Sequence, residues 1–340
     1  MKLLPKPVLA ELSSRYGTRP QDLSFLGGGQ DWSDGTVYRY HGTEEERALK
    51  IISFPRTDSE ALARAKRRLA IIDLFSRGGA PLAGPLSSPE GNRFETVEAD
   101  GELFLAYSSR LVPGREVRPH DPCAHSGAFQ KAVGEAVGLL HALSEARGLR
   151  AGMDGRCEAD APLQGWCDEW AFFRRWCRDD EVGEAWERLR ERIEALPMDS
   201  SRYGFVHNDI HAFNFIFDPD AEPARSGGEP SLTLIDFDVS GWHFYACDAA
   251  QALYSFGIMA TGGPETGRPL PAGFWPWAKA LFLEGYSRHR DPGLIKDGLD
   301  LWLQYRRCLM FMPFQEETAK RPEWRAAWKR AIAEGEEALA

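Results

Sequence analysis

One interruption inside an otherwise helical stretch constrains this chain more than any other feature. Phe205-Val206-His207 reads as a short strand, and the polar run Asn208-Asp209-Ile210-His211-Ala212-Phe213-Asn214 follows it. Phe213, Phe215 and Phe217 then alternate with Asn214 and Ile216, which is a strand period. Ser231-Leu232-Thr233-Leu234-Ile235-Asp236 is a second strand, reached through a segment at 218–230 whose Pro, Gly and charge predict an exposed loop. If the two strands pair as an antiparallel hairpin, partners have residue numbers summing to about 450. That register sets Asn214 beside Asp236 at the open end, with Asp209 just before it.

A side-chain amide and a carboxylate offered together as oxygen ligands suit Mg²⁺, which keeps waters and takes other ligands from phosphates. Asp209 then remains to orient or deprotonate an attacking hydroxyl. A loop Asp, an Asn five residues on and a later Asp next to Phe form the phosphoryl-transfer arrangement of kinases, here Asp209, Asn214 and Asp236-Phe237. An isolated D-x-x-x-x-N would be a polar turn with ordinary caps; the hairpin register and the Asp-Phe dipeptide favour the catalytic reading. His207 and His211 also have a zinc-like spacing. Metalloproteases, however, place Glu directly after the first His on a helix. Asn208 stands there instead, so the two histidines are expected to hold the loop by hydrogen bonds.

The first hundred residues predict a small, sheet-rich unit. Residues 22–26, 36–40 and 47–53 read as strands, and 94–97 with 102–109 as a hairpin around Ala99-Asp100-Gly101. Asp58 or Ser59 caps a helix that runs to about Arg77 and stops at Gly78-Gly79. Gly27-Gly28-Gly29-Gln30 between two strands lets backbone N–H groups approach phosphate oxygens, although a glycine-rich hairpin turn looks the same. Lys50 is sharper, because on its strand face it is flanked by Ala48 and Ile52. The alternative is an edge strand whose lysine snorkels to water.

Leu111-Val112-Pro113-Gly114 breaks the pattern and is the expected boundary, giving units of 1–110 and 111–340. Beyond it the texture is helical, with stretches at 128–146 and 163–177 and others after Tyr245, Phe274, Gly293 and Glu323. The formal charge of −10 speaks against a sequence-independent grip on nucleic acid and favours a cationic small molecule or a metal-bound anion. Six scattered cysteines without a CxxC pair argue against a zinc ribbon and read as reduced cytoplasmic thiols. The N-terminus lacks a signal-peptide apolar region, and no apolar run is long enough to span a membrane. A soluble, cytoplasmic protein is expected.

Here a resemblance can be named. His207-Asn208-Asp209-Ile210-His211-Ala212-Phe213-Asn214 fits the H-x-D-x-H-x-x-N of the aminoglycoside phosphotransferase (APH)-like family of small-molecule kinases. Leu234-Ile235-Asp236-Phe237-Asp238, then Asp248-Ala249-Ala250, resembles that family's metal-binding I-D-F and following D-x-A helix. Gly28-Gly29-Gln30, the Leu49-Lys50 strand and Phe282-Leu283-Glu284-Gly285-Tyr286 fit as well. The resemblance implies an α+β, bilobal protein-kinase-like fold. It would have an antiparallel-sheet N-lobe with one main helix and a larger, mostly helical C-lobe with the catalytic loop, metal site and acceptor site.

It also implies an enzyme that transfers the γ-phosphate of ATP, with Mg²⁺, to a hydroxyl of a small molecule: an aminoglycoside, choline, homoserine or another amino alcohol. ATP would lie between the lobes, with Gly28, Gly29, Gln30 and Lys50 at the phosphates and the Ser109–Val112 hinge, through Ser109 and Leu111, at the adenine. Asp209 would be the catalytic base, Asn214 and Asp236 the metal ligands, and Asp248 a buried brace supporting the loop with His207 and His211.

Departures from the family pattern are informative. Kinases pair the strand lysine with a helix glutamate, and Glu60 is the only acid in residues 59–70. Asn208 and Phe213 stand where small residues, usually glycine, are common. Trp166 and Trp170 could line a cation site, although a helical aromatic stripe is usually core. Asp160, Asp168, Glu169, Asp179, Asp180 and Glu181 could attract a cation or form solvated helix faces. An atypical protein Ser/Thr kinase and a non-catalytic nucleotide-binding module are the competing readings. The absence of a long activation segment with an Ala-Pro-Glu landmark opposes the first, and the intact Lys50, Asp209, Asn214 and Asp236 oppose the second.

Overall fold

A computed structural model describes residues 4–29, 35–118, 121–147, 165–218, 231–261 and 271–334. These fall into two compact units, one within Met1–Pro113 and the other from Gly114 onward.

The first unit begins with helix α1 (Lys6–Arg15) and continues through strands β1 (Ser24–Gly28), β2 (Gly35–His41), β3 (Glu46–Pro55), β4 (Pro85–Leu86), β5 (Glu95–Ala99) and β6 (Glu102–Arg110). They form one antiparallel sheet in the order β1-β2-β3-β6-β4, with β5 paired to β6. β1 starts two residues later than the alternation predicts, because Pro20–Asp22 forms a 3-10 turn. Between β3 and β4 runs α2 (Ser59–Arg77), whose first turn is capped by the Asp58 carboxylate accepting the Ala61 N–H at 2.9 Å. At the β5–β6 turn Asp100 and Gly101 both take positive φ, of 52° and 79°, as a tight hairpin turn requires. Val8, Leu12 and Tyr16 pack with Tyr40, Leu49, Ile51 and Phe104 to form the core of this unit. β3 is an inner strand: Lys50 lies opposite Val37 of β2 and Tyr107 of β6. The snorkelling edge-strand reading of Lys50 is therefore excluded.

The second unit carries β7 (Arg115–Glu116), α3 (Gly127–Ala146), α4 (Trp166–Arg174), α5 (Asp180–Glu194), β8 (Tyr203–Val206), β9 (Phe215–Asp218), β10 (Ser231–Leu234) and β11 (Gly241–Phe244). Helices α6 (Tyr245–Thr261), α7 (Phe274–Tyr286), α8 (Gly293–Lys296), α9 (Leu299–Ala319) and α10 (Pro322–Glu334) complete it. β10, β9 and β7 form one small sheet, and β11 with β8 another. Pairs in the β9–β10 hairpin, such as Phe215 with Leu234, sum to 449. The Ile235 N–H accordingly bonds the Asn214 carbonyl at 3.1 Å, and Asp236 lies one residue beyond. Among the described residues no helix is long and apolar enough to cross a membrane.

α3 packs on α7 through glycines at close backbone approach. A Cβ on Gly134 would stand 2.1 Å from the Phe282 carbonyl oxygen, and one on Gly285 2.0 Å from that of Lys131. Gly134→Ala is expected to force the helices apart and lower stability by about 1–3 kcal/mol, read as a lowered urea midpoint at unchanged slope.

Candidate active site

The loop between β8 and β9 is built around a buried carboxylate. Asp248, in the first turn of α6, is fully buried and accepts the backbone N–H of His207 at 3.2 Å and of Asn208 at 2.8 Å. His141 of α3 meets Oδ2, the oxygen that also accepts the His207 N–H, through Nε2 at 3.1 Å. The Arg290 guanidinium bonds the Tyr286 hydroxyl at 3.0 Å, and that hydroxyl lies 3.1 Å from His141 Nδ1. The only tautomer that satisfies this chain has Tyr286 donating to Nδ1 and a neutral His141 donating from Nε2. Burial lowers the His141 pKa, consistent with that neutral form. For Asp248 burial opposes the charge, but the His141 hydrogen bond and the facing donors outweigh it, so the carboxyl is held below its ordinary range.

His207 is spent in the same way. Its Nδ1 accepts the Asp209 N–H at 3.2 Å, so Nε2 carries the proton and donates to the Ile235 carbonyl at 3.0 Å. The ring thus ties the loop to the end of β10, with Phe237 against its face at 4.3 Å. Among the described residues no cluster of His, Cys, Asp and Glu could hold a metal by itself.

Asp209 comes out of this frame with its carboxylate hydrogen-bonded and its side chain 36% exposed. Gln251 Nε2 donates to Oδ1 at 3.0 Å, and Asn214 Nδ2 to Oδ2 at 3.1 Å. His211 Nε2 stands 3.2 Å from Oδ2; its Nδ1 accepts the Phe213 N–H at 3.3 Å. Burial would raise the Asp209 pKa, but the His211 hydrogen bond and the nearby positive groups bring it below the usual carboxylate value. Asn214 also bonds the Asp209 carbonyl through Nδ2 at 2.8 Å, which leaves its Oδ1 as the atom suited to a cation. Asp236 follows the end of β10 with a left-handed φ of 63° and is exposed.

Asn208 shows why glycine is common at its position. Its φ is 63°, a conformation asparagine tolerates better than most residues. Its side chain spans two helices: Nδ2 donates to Glu169 Oε2 of α4 at 2.8 Å, and Oδ1 accepts from Arg306 Nη2 of α9 at 2.9 Å. Glu169 also accepts the Tyr305 hydroxyl at 2.9 Å and faces Arg306 at 3.8 Å and His243 at 3.7 Å. Burial disfavours the Glu169 charge, yet Arg306, His243 and Asn208 together hold the carboxyl down to about 2.

That shift fixes a sign. The folded value lies below the ordinary 4.5, so this carboxylate's contribution is complete above pH 4.5 and is lost as pH falls toward about 2. Urea unfolding between pH 6 and 3 is expected to show stability falling on the acid side, with a shallower fall in Glu169→Gln.

These residues border a cavity of about 450 Å³. Asp209, Asn208, Gln251, Glu169 and Arg306 supply its polar wall; Phe173, Ile258, Met259, Leu309 and Met310 are among the apolar ones, joined by Phe213 and Val239. Trp166 and Trp170 take no part: both are buried, Trp170 stacked on Trp186, so the cation-site reading of these rings is corrected to core. Of the flagged acids, Asp160 lies outside the described residues, and among the others only Glu169 reaches the cavity. Asp168 caps α4, and Asp179 caps α5 and faces Lys329 at 3.4 Å.

In the first unit Gly28 and Gly29 have positive φ, of 81° and 70°, at the end of β1. Lys50 Cε lies 3.3 Å from where a Gly35 Cβ would stand, so glycine strand and lysine share one neighbourhood. Ser109 lies opposite Ala48, and the Leu111 N–H bonds the Glu46 carbonyl at 2.9 Å. Gln30 lies outside the described residues. Glu60 departs from its expected role: its carboxylate meets Arg64 of its own helix at 3.4 Å and is 77% exposed. Sequence reasoning missed Gln251, Arg306 and His141, although Gln251 follows Asp248 by one helical turn and so shares its face.

An antiparallel-sheet unit with one long helix, a helical unit, and an Asp–Asn loop beside an Asp-Phe hairpin end together define a protein-kinase-like phosphotransferase. The family model described as "Phosphotransferase enzyme family" (APH) matches residues 24–283, and the chain belongs to that family. It is thus a kinase of the class that acts on hydroxyl groups of small molecules. Amicoumacin kinase of Bacillus subtilis (strain 168) is 26% identical over 252 residues, 73% of this chain and 67% of that protein. Among solved structures, amicoumacin kinase hAmiN in complex with AMP-PNP, Ca²⁺ and Ami superposes with a TM-score of 0.73 at 20% identity, covering 96% of this chain and 92% of that one. A microcompartment-associated aminopropanol kinase gives 0.68 at 17% identity over 98% and 99%.

Proposed function

We propose that this protein transfers the γ-phosphate of ATP, with Mg²⁺, to a hydroxyl of a small molecule held in the cavity beside Asp209. The observation that carries this reading is the Asp209 carboxylate itself, ionised and oriented by Gln251, Asn214 and His211 in the wall of a cavity large enough for an organic acceptor. An acceptor hydroxyl hydrogen-bonded to Asp209 is aimed by it and gives up its proton there as the oxygen attacks. Asp248, His141 and His207 fix the loop backbone, so the carboxylate needs no rearrangement to meet the hydroxyl.

The Asn214 Oδ1 and the Asp236 carboxylate are two hard oxygen donors on adjacent strand ends. That set fits a divalent cation which completes its shell with waters and phosphate oxygens. Bound there, the ion would neutralise phosphate charge. In the first unit Gly28, Gly29, Gln30 and the Lys50 ammonium are assigned to the phosphates, the Gly29 N–H itself being donated to the Gly35 carbonyl at 2.9 Å; Ser109 and Leu111 are assigned to the adenine. The neighbour solved with AMP-PNP and Ca²⁺ supports the use of a nucleotide with a divalent ion. The free cysteines suit a cytoplasmic setting.

Transfer of γ-labelled phosphate from ATP to a panel of amino alcohols, aminoglycosides and a generic protein tests the proposal. Small-molecule product that requires Mg²⁺ and is lost on chelation supports it. Product on the protein alone, or none with ATP bound, contradicts it.

A further inference from the structure

Gln251 carries an atom that the chain leaves unused. Its Nε2 faces the Asp209 carboxylate, an acceptor only, so the side chain's orientation is settled and Oε1 is the other end. Oε1 is buried and has no hydrogen-bond partner, while the residue lines the cavity. A buried acceptor left unpaired is costly, and a ligand that supplies a donor removes the cost.

Of the other polar groups in the lining, His211 and Ser255 accept loop backbone N–H groups, and Arg306 Nε is a second buried atom without a hydrogen-bond partner, a donor where Gln251 Oε1 is an acceptor. Glu169 is satisfied by Asn208 and Tyr305 and neutralised by Arg306, so a fixed cation would meet the Arg306 charge rather than an open carboxylate. Most of the remaining wall is apolar. Phe213 and Val239, which help line it, are 54% and 42% exposed, and covering them with an apolar group is favourable. The cavity's volume of about 450 Å³ falls in the ~300–1,000 Å³ range that encloses drug-sized ligands, and a compact amino alcohol would leave it largely unfilled.

We propose that Gln251 is a specificity-determining residue whose Oε1 receives an N–H donor placed near the acceptor's reacting hydroxyl, on a molecule whose body is apolar and larger than a simple amino alcohol. Gln251 thus bridges the acceptor and Asp209, one amide end to each. An acceptor lacking that N–H leaves Oε1 unpaired, the situation in which binding sites discriminate most strongly. A quaternary ammonium alcohol fails on the missing donor, the fixed charge and the small body. This inference rests on the reading of Asp209 as the residue that receives the hydroxyl.

N-acetylphenylalaninol and its N-methylated analogue differ by exchange of the N–H for an N–CH₃ and serve as paired probes, with choline as the compact cation. In Mg²⁺–ATP transfer by the full chain, kcat/KM is expected to be at least ~30-fold higher for the N–H compound than for either comparison. Gln251→Met is expected to bring the N–H and N-methyl compounds within about threefold of each other, and Gln251→Asn to restore part of the gap. Equal or reversed preference in the wild type, or a ratio that survives Gln251→Met, overturns the proposal. Calorimetric binding of the same three compounds without nucleotide separates the two readings. The expected order of affinities without transfer sustains the Gln251 contact and defeats the reading of Asp209 as the residue that receives the hydroxyl, whereas absent or reversed binding defeats the contact itself.

Discussion

Asp209→Asn is expected to lower kcat for phosphoryl transfer by roughly 10²–10⁴-fold while leaving nucleotide affinity unchanged. The substitution preserves volume and removes two things together. The first is the charge that accepts the hydroxyl proton. The second is the fit to three donors: Gln251 at Oδ1, with Asn214 and His211 at Oδ2. An amide in place of the carboxylate turns one N–H₂ toward a donor whichever way it flips, so orientation is lost along with basicity. Steady-state kinetics and equilibrium titration with a nucleotide measure the two effects separately. A fall in kcat and in kcat/KM by equal factors marks an interaction made only in the transition state. The direction of the Asp209 shift adds a pH statement. Its carboxyl lies below the usual range, so the carboxylate persists through mildly acid pH, and no loss of transfer between pH 8 and 5 is expected from this group.

The chemistry of this loop is legible in the sequence because it is local. Residues 207–214 are consecutive, and the hairpin that brings Asn214 toward Asp236 follows from the alternation of Phe215 and Phe217 opposite Leu232 and Leu234. The observed sum of 449 sets Asn214 opposite Ile235, one residue from the expected partner. Helix α2 was legible for the same reason, Asp58 marking one end and Gly78 the other. What stays hidden is what three helices bring to the loop from a distance. Glu169 lies on α4, Gln251 on α6 and Arg306 on α9, and only packing sets them around one cavity. The sequence after Gly293 reads as a single helical stretch but forms the short α8 and the separate 21-residue α9, and the latter carries Arg306. Asn208 is legible in part. Its place in the motif marks it as unusual, whereas its left-handed backbone and its bonds to Glu169 and Arg306 need the fold. Glu60 was misread because charge and helix membership were available and direction was not; its side chain turns to Arg64.

Asp248→Ala is expected to cost about 3–5 kcal/mol of stability and to impair transfer without touching acceptor or nucleotide. The carboxylate receives two backbone N–H groups of the loop and the His141 ring; Asp248, His141 and His207 are fully buried, and Asn208 is half-buried. Alanine leaves these donors orphaned in a fully buried site, where each unmet group costs ~1–3 kcal/mol. Loss of the His141 anchor also releases the relay through Tyr286 to Arg290, which spans α3 and α7. The His207 and Asn208 N–H groups immediately precede Asp209, so losing their anchor loosens the candidate base. Circular dichroism melts and urea curves should therefore show a large drop in midpoint. At a temperature where the variant is still folded, kcat should fall while the acceptor's KM changes little. Asp248→Asn makes the stricter comparison. It keeps the volume and one acceptor oxygen, so its loss of stability should be smaller than that of Asp248→Ala. A variant as stable as wild type would mean that the buried carboxylate does not hold the loop, and the account of how Asp209 is positioned would fail with it.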